Sequence, residues 1–77
     1  MLNIAFVGGG GIAHHHATQL AQLRNVRIVA VSDIVAATAN NFAADFDVPD
    51  TFADYNQMLE LDHIDAVWVC TPTFLHP

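Results

Sequence analysis

All four glycines of the chain lie in a single run, Gly8-Gly9-Gly10-Gly11, and that run separates two segments of different character. Before it stands Leu2-Asn3-Ile4-Ala5-Phe6-Val7, an apolar strand, and after it Ile12-Ala13-His14-His15-His16-Ala17 opens a helix. Read at spacing, the run is Gly8-x-Gly10-x-x-Ala13, the turn with which a βαβ unit receives a pyrophosphate. Gly8 permits the tight turn off the strand. Gly10 lets the backbone approach a phosphate with no Cβ in the way, and Ala13 is small enough for the helix to lie close to the strand. The helix N-terminus adds unpaired N–H groups and a positive dipole end. A flexible linker would not be flanked by an apolar strand and an amphipathic helix.

The next strand supplies the context that a glycine pattern needs. Arg27-Ile28-Val29-Ala30-Val31-Ser32-Asp33 is a β-branched apolar run that closes on an acid. Asp33 lies 20 residues after Ala13, about where a dinucleotide-binding unit places the carboxylate that meets the adenosine ribose. Such a carboxylate favours NAD over NADP. A 2′-phosphate would bring a like charge to within ~4 Å, at a cost of at least ~1 kcal/mol even in water, and no arginine follows Asp33 to offset it.

Composition narrows the partners. The chain has 77 residues and a formal net charge of −6, with Arg24 and Arg27 as its basic residues and no lysine. That balance argues against nucleic acid, which needs a positive footprint, and leaves phosphate binding to backbone N–H groups. Apolar residues make up 53% and charged residues 13%, the balance of an interior whose surface lies elsewhere. No apolar run approaches ~18 residues and no basic segment precedes the first strand, so neither a membrane span nor a signal peptide is expected. The single cysteine, Cys70, excludes an internal disulfide and fits a reducing cytoplasm.

Periodicity predicts a first helix from Ile12 to about Leu23, with Ala13, His16, Ala17, Leu20 and Ala21 facing the sheet. A second helix is predicted over Val35–Phe46, burying Val35, Ala39, Phe42, Ala43 and Phe46. Val48-Pro49-Asp50 breaks it, and Thr51-Phe52 reads as a very short strand. Asp54 then reads as an N-cap, with Gln57 placed as in a capping box, opening a short helix that buries Met58, Leu59 and Leu61. Ile64–Cys70 is the last strand, continuously apolar from Ala66 as in a parallel strand covered on both faces. Strands alternating with helices imply right-handed crossovers and a parallel sheet. The fold class is therefore α/β, a partial three-layer Rossmann fold with the first strand between the second and the last.

These residues together resemble the N-terminal NAD(P)-binding domain of the glucose–fructose oxidoreductase / inositol dehydrogenase (Gfo/Idh/MocA) family. The stretches that carry the resemblance are Gly8–Ala13 with His16 and Leu20, Ala30-Val31-Ser32-Asp33, Val48-Pro49, Phe52-Ala53-Asp54-Tyr55 and Ile64-Asp65-Ala66-Val67. Cys70-Thr71-Pro72-Thr73-Phe74-Leu75-His76 is similar to the family's Thr-Pro…His stretch. The resemblance implies that Gly8, Gly10, Gly11 and Ile12 line the pyrophosphate, with Ala13 behind them, and that Asp33 meets the ribose. It places Thr71, Pro72 and Thr73 along the nicotinamide-side ribose and His76 near that end of the cofactor. The implied cofactor is NAD, with NADP open because some members with an acid at this position take both.

The resemblance also implies a second, larger domain that closes the substrate site, and a catalytic lysine in a Glu-Lys-Pro motif. Residues 1–77 contain neither. The expectation is thus the N-terminal part of a dinucleotide-binding domain with its C-terminal substrate domain absent. The parent activity would be hydride transfer to or from a sugar, polyol or related carbonyl, with little activity from this fragment alone. The alternatives are a non-catalytic nucleotide-binding or regulatory module, associating through an exposed sheet edge, and a nonfunctional truncation.

Other conspicuous residues have plainer readings. His14, His15 and His16 point ~100° apart on a helix and cannot converge on one metal ion. His16 is expected against the sheet edge, and His14 and His15 are expected to be exposed, within reach of a phosphate. Cys70 reads as an apolar filler, Trp68 as a core or interface residue, and Asp62, His63 and Asp65 as solvated turn residues at the end of the sheet away from ligands.

Overall fold

A computed structural model describes residues 1–70. Its elements run β1 (Leu2–Val7), α1 (Gly11–Leu20), β2 (Val26–Ser32), α2 (Ala36–Phe46), β3 (Asp50–Phe52), α3 (Tyr55–Leu59) and β4 (Ala66–Val69). Among the described residues the strands form one sheet in the order β3-β2-β1-β4, and every pairing is parallel. The α/β Rossmann arrangement, with β1 between β2 and β4, is as the sequence predicts.

Handedness explains the layers. From β1 to β2 to β3 the chain steps in one direction, so right-handed crossovers put α1 and α2 on one face. The step from β3 to β4 reverses direction and places α3 on the other. The first face packs Ile4, Phe6, Ile28 and Val31 of the sheet against Ala13 and Ala17 of α1 and Ala39 and Phe42 of α2. The second packs Ala5, Val29 and Ala30 against Met58 of α3. The β1–β2 register slips between Ile4 and Ala5, so Val29 and Ala30 can both serve the second face. The reversal opens a crevice at the carboxyl ends of β1 and β4, where α/β sheets bind ligands.

Several boundaries differ from expectation. α1 stops at Leu20, and Gln22 and Leu23 close tight turns onto the Gln19 and Leu20 carbonyls. The chain must return at once to β2, where the Asn25 carbonyl accepts the Leu2 N–H at 2.6 Å, so Ala21 and Leu23 face solvent. Val35 is the exposed N-cap of α2 and not part of its buried face.

The Asp54 carboxylate does cap α3, accepting the Asn56 N–H at 2.9 Å, where a capping box would use Gln57. With five residues α3 is a single turn and buries Met58 alone; Leu59 is 48% exposed. Among the described residues β4 is the edge strand of the sheet, and its Val67, Trp68 and Val69 are 39%, 36% and 63% exposed where cover on both faces was expected.

Asp65 is also more than a solvated turn residue. Its carboxylate accepts the Asn3 N–H at 2.7 Å, its own N–H donates to the Asn3 carbonyl at 2.8 Å, and Asn3 Nδ2 donates to the His63 carbonyl at 3.0 Å. These bonds lock the start of β4 to β1.

Candidate functional site

The carboxyl ends of β1, β2 and β4 frame a cleft of ≈ 780 Å³. One wall is the glycine turn with Ile12, a second is Ser32–Val35, and the third is Tyr55 and Leu59 of α3 with Val67, Val69 and Cys70. Of the residues predicted from sequence, Gly8, Gly10, Gly11, Ile12 and Asp33 meet here. Ala13 does not line the cleft; it is fully buried on the face of α1 that packs on the sheet, the close helix–strand approach for which its size suits it. Thr71, Pro72, Thr73 and His76 lie outside the described residues.

The turn is built by local needs. Gly8 takes φ 97°, a conformation that side chains other than glycine rarely adopt, and its N–H donates to the Ser32 carbonyl at 2.7 Å. Gly10 is the N-cap of α1. Beyond the adjoining backbone, a Cβ on Gly10 or Gly11 would meet no atom of the described residues within 4 Å, so among these residues the space in front of these backbones is open to a ligand, as a phosphate cradle requires. Gly9 differs: a Cβ there would come within 3.2 Å of Phe42 Cβ and 3.3 Å of the Thr38 carbonyl oxygen. Sequence spacing passes over Gly9, yet it is where α2 reaches the turn.

Gly9 also orients the carboxylate. Asp33 Oδ2 accepts the Gly9 N–H at 3.0 Å, and Oδ1 accepts the Val35 N–H at 2.9 Å. The carboxylate is fastened to the turn and to the start of α2, and each oxygen keeps a lone pair for a further donor. Arg24 and Arg27 lie before and at the start of β2, at the opposite end of the strand. Ser32, beside Asp33, is buried, and its Oγ meets no hydrogen-bond partner among the described residues.

The histidines do not all sit as expected. His14 is drawn onto α2, with Nε2 3.0 Å from Asp45 Oδ2 and Nδ1 3.0 Å from the Gly10 carbonyl oxygen. The Gly10 carbonyl raises its pKa above the ordinary histidine value, partial burial opposes, and the Asp45 carboxylate raises it further. His16 is half-buried against Trp68 of β4, ring centroids 5.9 Å apart, and His15 is exposed. At the foot of the cleft Cys70 is half-buried, and burial pushes its thiol up.

Residues 2–77 match the family model described as an oxidoreductase family with an NAD-binding Rossmann fold (GFO_IDH_MocA). The chain belongs to this family. It is an NAD-binding Rossmann segment of the Gfo/Idh/MocA group, as the motifs from Gly8 to Asp33 and beyond imply.

Similar proteins include glucose-6-phosphate 3-dehydrogenase of Bacillus subtilis, 33% identical over 76 residues, covering 99% of this chain and 21% of that protein. A 4-carboxy-2-hydroxymuconate-6-semialdehyde dehydrogenase of Sphingobium is 32% identical over 75 residues, covering 97% of this chain and 24% of that protein. Among solved structures, scyllo-inositol dehydrogenase from Lactobacillus casei with bound NAD(H) and scyllo-inositol matches with TM-score 0.85 at 27% identity. The match covers 99% of this chain and 23% of that one. The chain thus spans about a fifth to a quarter of the length of the curated relatives it matches. Among the described residues no helix is long and apolar enough to cross a membrane.

Proposed function

We propose that residues 1–77 form the N-terminal part of the dinucleotide-binding domain of an oxidoreductase acting on a sugar, polyol or related carbonyl compound. The observation that carries this reading is the Asp33 carboxylate, bonded through Gly9 to the same turn whose Gly10 and Gly11 backbones face open space. A ribose-binding acid and a phosphate cradle are thereby held as one unit. Gly8, Gly10, Gly11 and Ile12 would line the pyrophosphate, with Ala13 allowing α1 its close approach. Asp33 would accept from the adenosine ribose hydroxyls. Thr71, Pro72, Thr73 and His76 would continue along the nicotinamide side.

The cofactor supplies hydride transfer when bound; this segment binds it, orients it and selects it. Asp33 selects NAD, because a 2′-phosphate would face a carboxylate whose nearest guanidinium groups belong to the other end of β2. The group that handles the substrate's proton would come from outside residues 1–77, which contain no lysine. Two of the relatives named above are dehydrogenases of glucose 6-phosphate and scyllo-inositol, which supports a polyhydroxylated substrate. The lone cysteine supports the cytoplasm as the compartment. A second reading, a nucleotide-binding module that associates through β4, is favoured by the exposed Val67, Trp68 and Val69 on that edge.

Calorimetric titration of the purified protein with NAD⁺ and NADP⁺, alongside Gly10→Val, tests the proposal. Binding that prefers NAD⁺ and disappears in the variant is the expected result. A folded protein that takes up neither cofactor at millimolar concentration overturns it.

A further inference from the structure

His14 stands in the first turn of α1 with both ring nitrogens engaged. Nδ1 meets the Gly10 carbonyl oxygen and Nε2 meets Asp45 Oδ2, each at 3.0 Å. Both partners are acceptors. A neutral imidazole has one N–H and can satisfy one of them; an imidazolium has two and satisfies both. The ring is held in place by Phe42 edge-on at 5.2 Å and Phe46 at 5.4 Å. Phe42 is the side chain that a Cβ on Gly9 would strike, so His14, Phe42 and the glycine turn form one packed unit.

We propose that His14, as imidazolium, is a positioning residue for the dinucleotide, clamping the Gly10 carbonyl and α2 together so that the cofactor binds the protonated form more tightly. The inference rests on the cleft being the cofactor site. Protonation acts in two ways with the same sign. It completes the second hydrogen bond that fixes the turn, and it places a positive charge in the helix turn that would receive the pyrophosphate. No lysine exists in the chain and both arginines lie toward the amino end of β2. His14 is therefore the ionisable cation fastened to this turn.

The groups that face the ring account for its charge. From α2 comes the Asp45 carboxylate; from the turn come the Gly10 and, more weakly, the Gly9 carbonyls. On α1 itself His15 and His16 follow it in sequence, their rings 5.7 Å apart from each other and His16 set against Trp68. The Gly10 carbonyl, Asp45 and the Gly9 carbonyl favour the imidazolium, and partial burial opposes them. The folded-state value is raised. The clamp is therefore fully present below the ordinary histidine value and is lost as pH rises through the higher value that His14 has in the fold.

The test is NAD⁺ affinity of the purified protein by calorimetry across about pH 5–9, spanning the histidine range. His14→Gln and Asp45→Asn are measured beside it, with the His14 ring proton followed by NMR with and without NAD⁺. In the unsubstituted protein affinity should fall roughly fivefold or more toward the alkaline end, and the His14 titration should move upward when NAD⁺ is bound. His14→Gln should flatten the profile; if it does not fold, the exposed Asp45→Asn carries the same comparison. Parallel pH profiles in the unsubstituted protein and the variants overturn the clamp, as does a His14 ring that titrates at the ordinary value in the free protein. Binding that is pH-independent but still abolished by Gly10→Val overturns the clamp alone. No binding at any pH overturns the cofactor reading and the coupling together.

Discussion

Replacing Gly9 with alanine sets a new Cβ 3.2 Å from Phe42 Cβ, 3.3 Å from the Thr38 carbonyl oxygen and 3.6 Å from Thr38 Cγ2. The first two are tighter than ordinary van der Waals contact, so a neighbour must move. Phe42 cannot move alone. It is fully buried, with ring centroids 5.2 Å from Phe6 and 4.9 Å from Phe46, and the Thr38 carbonyl belongs to the backbone of α2. The helix must shift as a body, or the turn must.

Overpacking of this kind costs about 1–3 kcal/mol. Restricting the unfolded chain returns about 0.4–1 kcal/mol. The net expectation is about 1 kcal/mol of destabilisation, a drop in Tm of roughly 4–8 °C for a cooperative unit of this size. Thermal unfolding followed by circular dichroism and by Trp68 fluorescence measures it. Gly10→Ala is the matched control, because among the described residues its Cβ meets nothing within 4 Å beyond the adjoining backbone; it should stay within about 0.5 kcal/mol while weakening NAD⁺ binding. An unchanged or raised Tm for Gly9→Ala, or a larger loss for Gly10→Ala, would refute the reasoning.

Other substitutions read other joints. Asp33→Ala leaves the Gly9 and Val35 N–H groups without their acceptor and should cost about 1–3 kcal/mol. It should also narrow the preference for NAD⁺ over NADP⁺, and titration with both cofactors would expose a variant that keeps its preference. Asp65→Ala removes the acceptor of the Asn3 N–H and should cost about 1 kcal/mol, with faster hydrogen exchange at Asn3 as its signature; unaltered exchange counts against the β1–β4 lock. Burial raises the Cys70 thiol, so its thiolate is scarcer at neutral pH than in the unfolded chain. Alkylation should be slow in the native protein, quicken on denaturation and rise with pH; equal native and denatured rates would contradict the burial.

What was legible in the sequence was what short-range backbone chemistry demands. Gly8 must accept a positive φ, Ala13 must be small where α1 meets β1, and an acid at the end of the second strand must face the turn. Each requirement is met by residue type within one βαβ unit, so spacing alone could reveal it. Contacts between distant residues were not legible. His14 finds Asp45 across 31 residues, and Asn3 finds Asp65 across 62. No periodicity marks either partner, and each pair forms only because crossover geometry brings the elements together. Apolar pattern also misled where it met an edge. Leu59 and Val67–Val69 read as core because an apolar run implies cover, whereas Leu59 faces the cleft from α3 and β4 ends the described sheet.

The sequence by itself determined the class of fold and the family, because a glycine turn between strand and helix with an acid one strand later has few other physical solutions. Tertiary structure decided which glycine bears α2, through which N–H groups the Asp33 carboxylate is fastened and which histidine is tethered beside the turn. Those outcomes depend on the order in which right-handed crossovers lay the strands, which is a property of the whole chain and of no local segment.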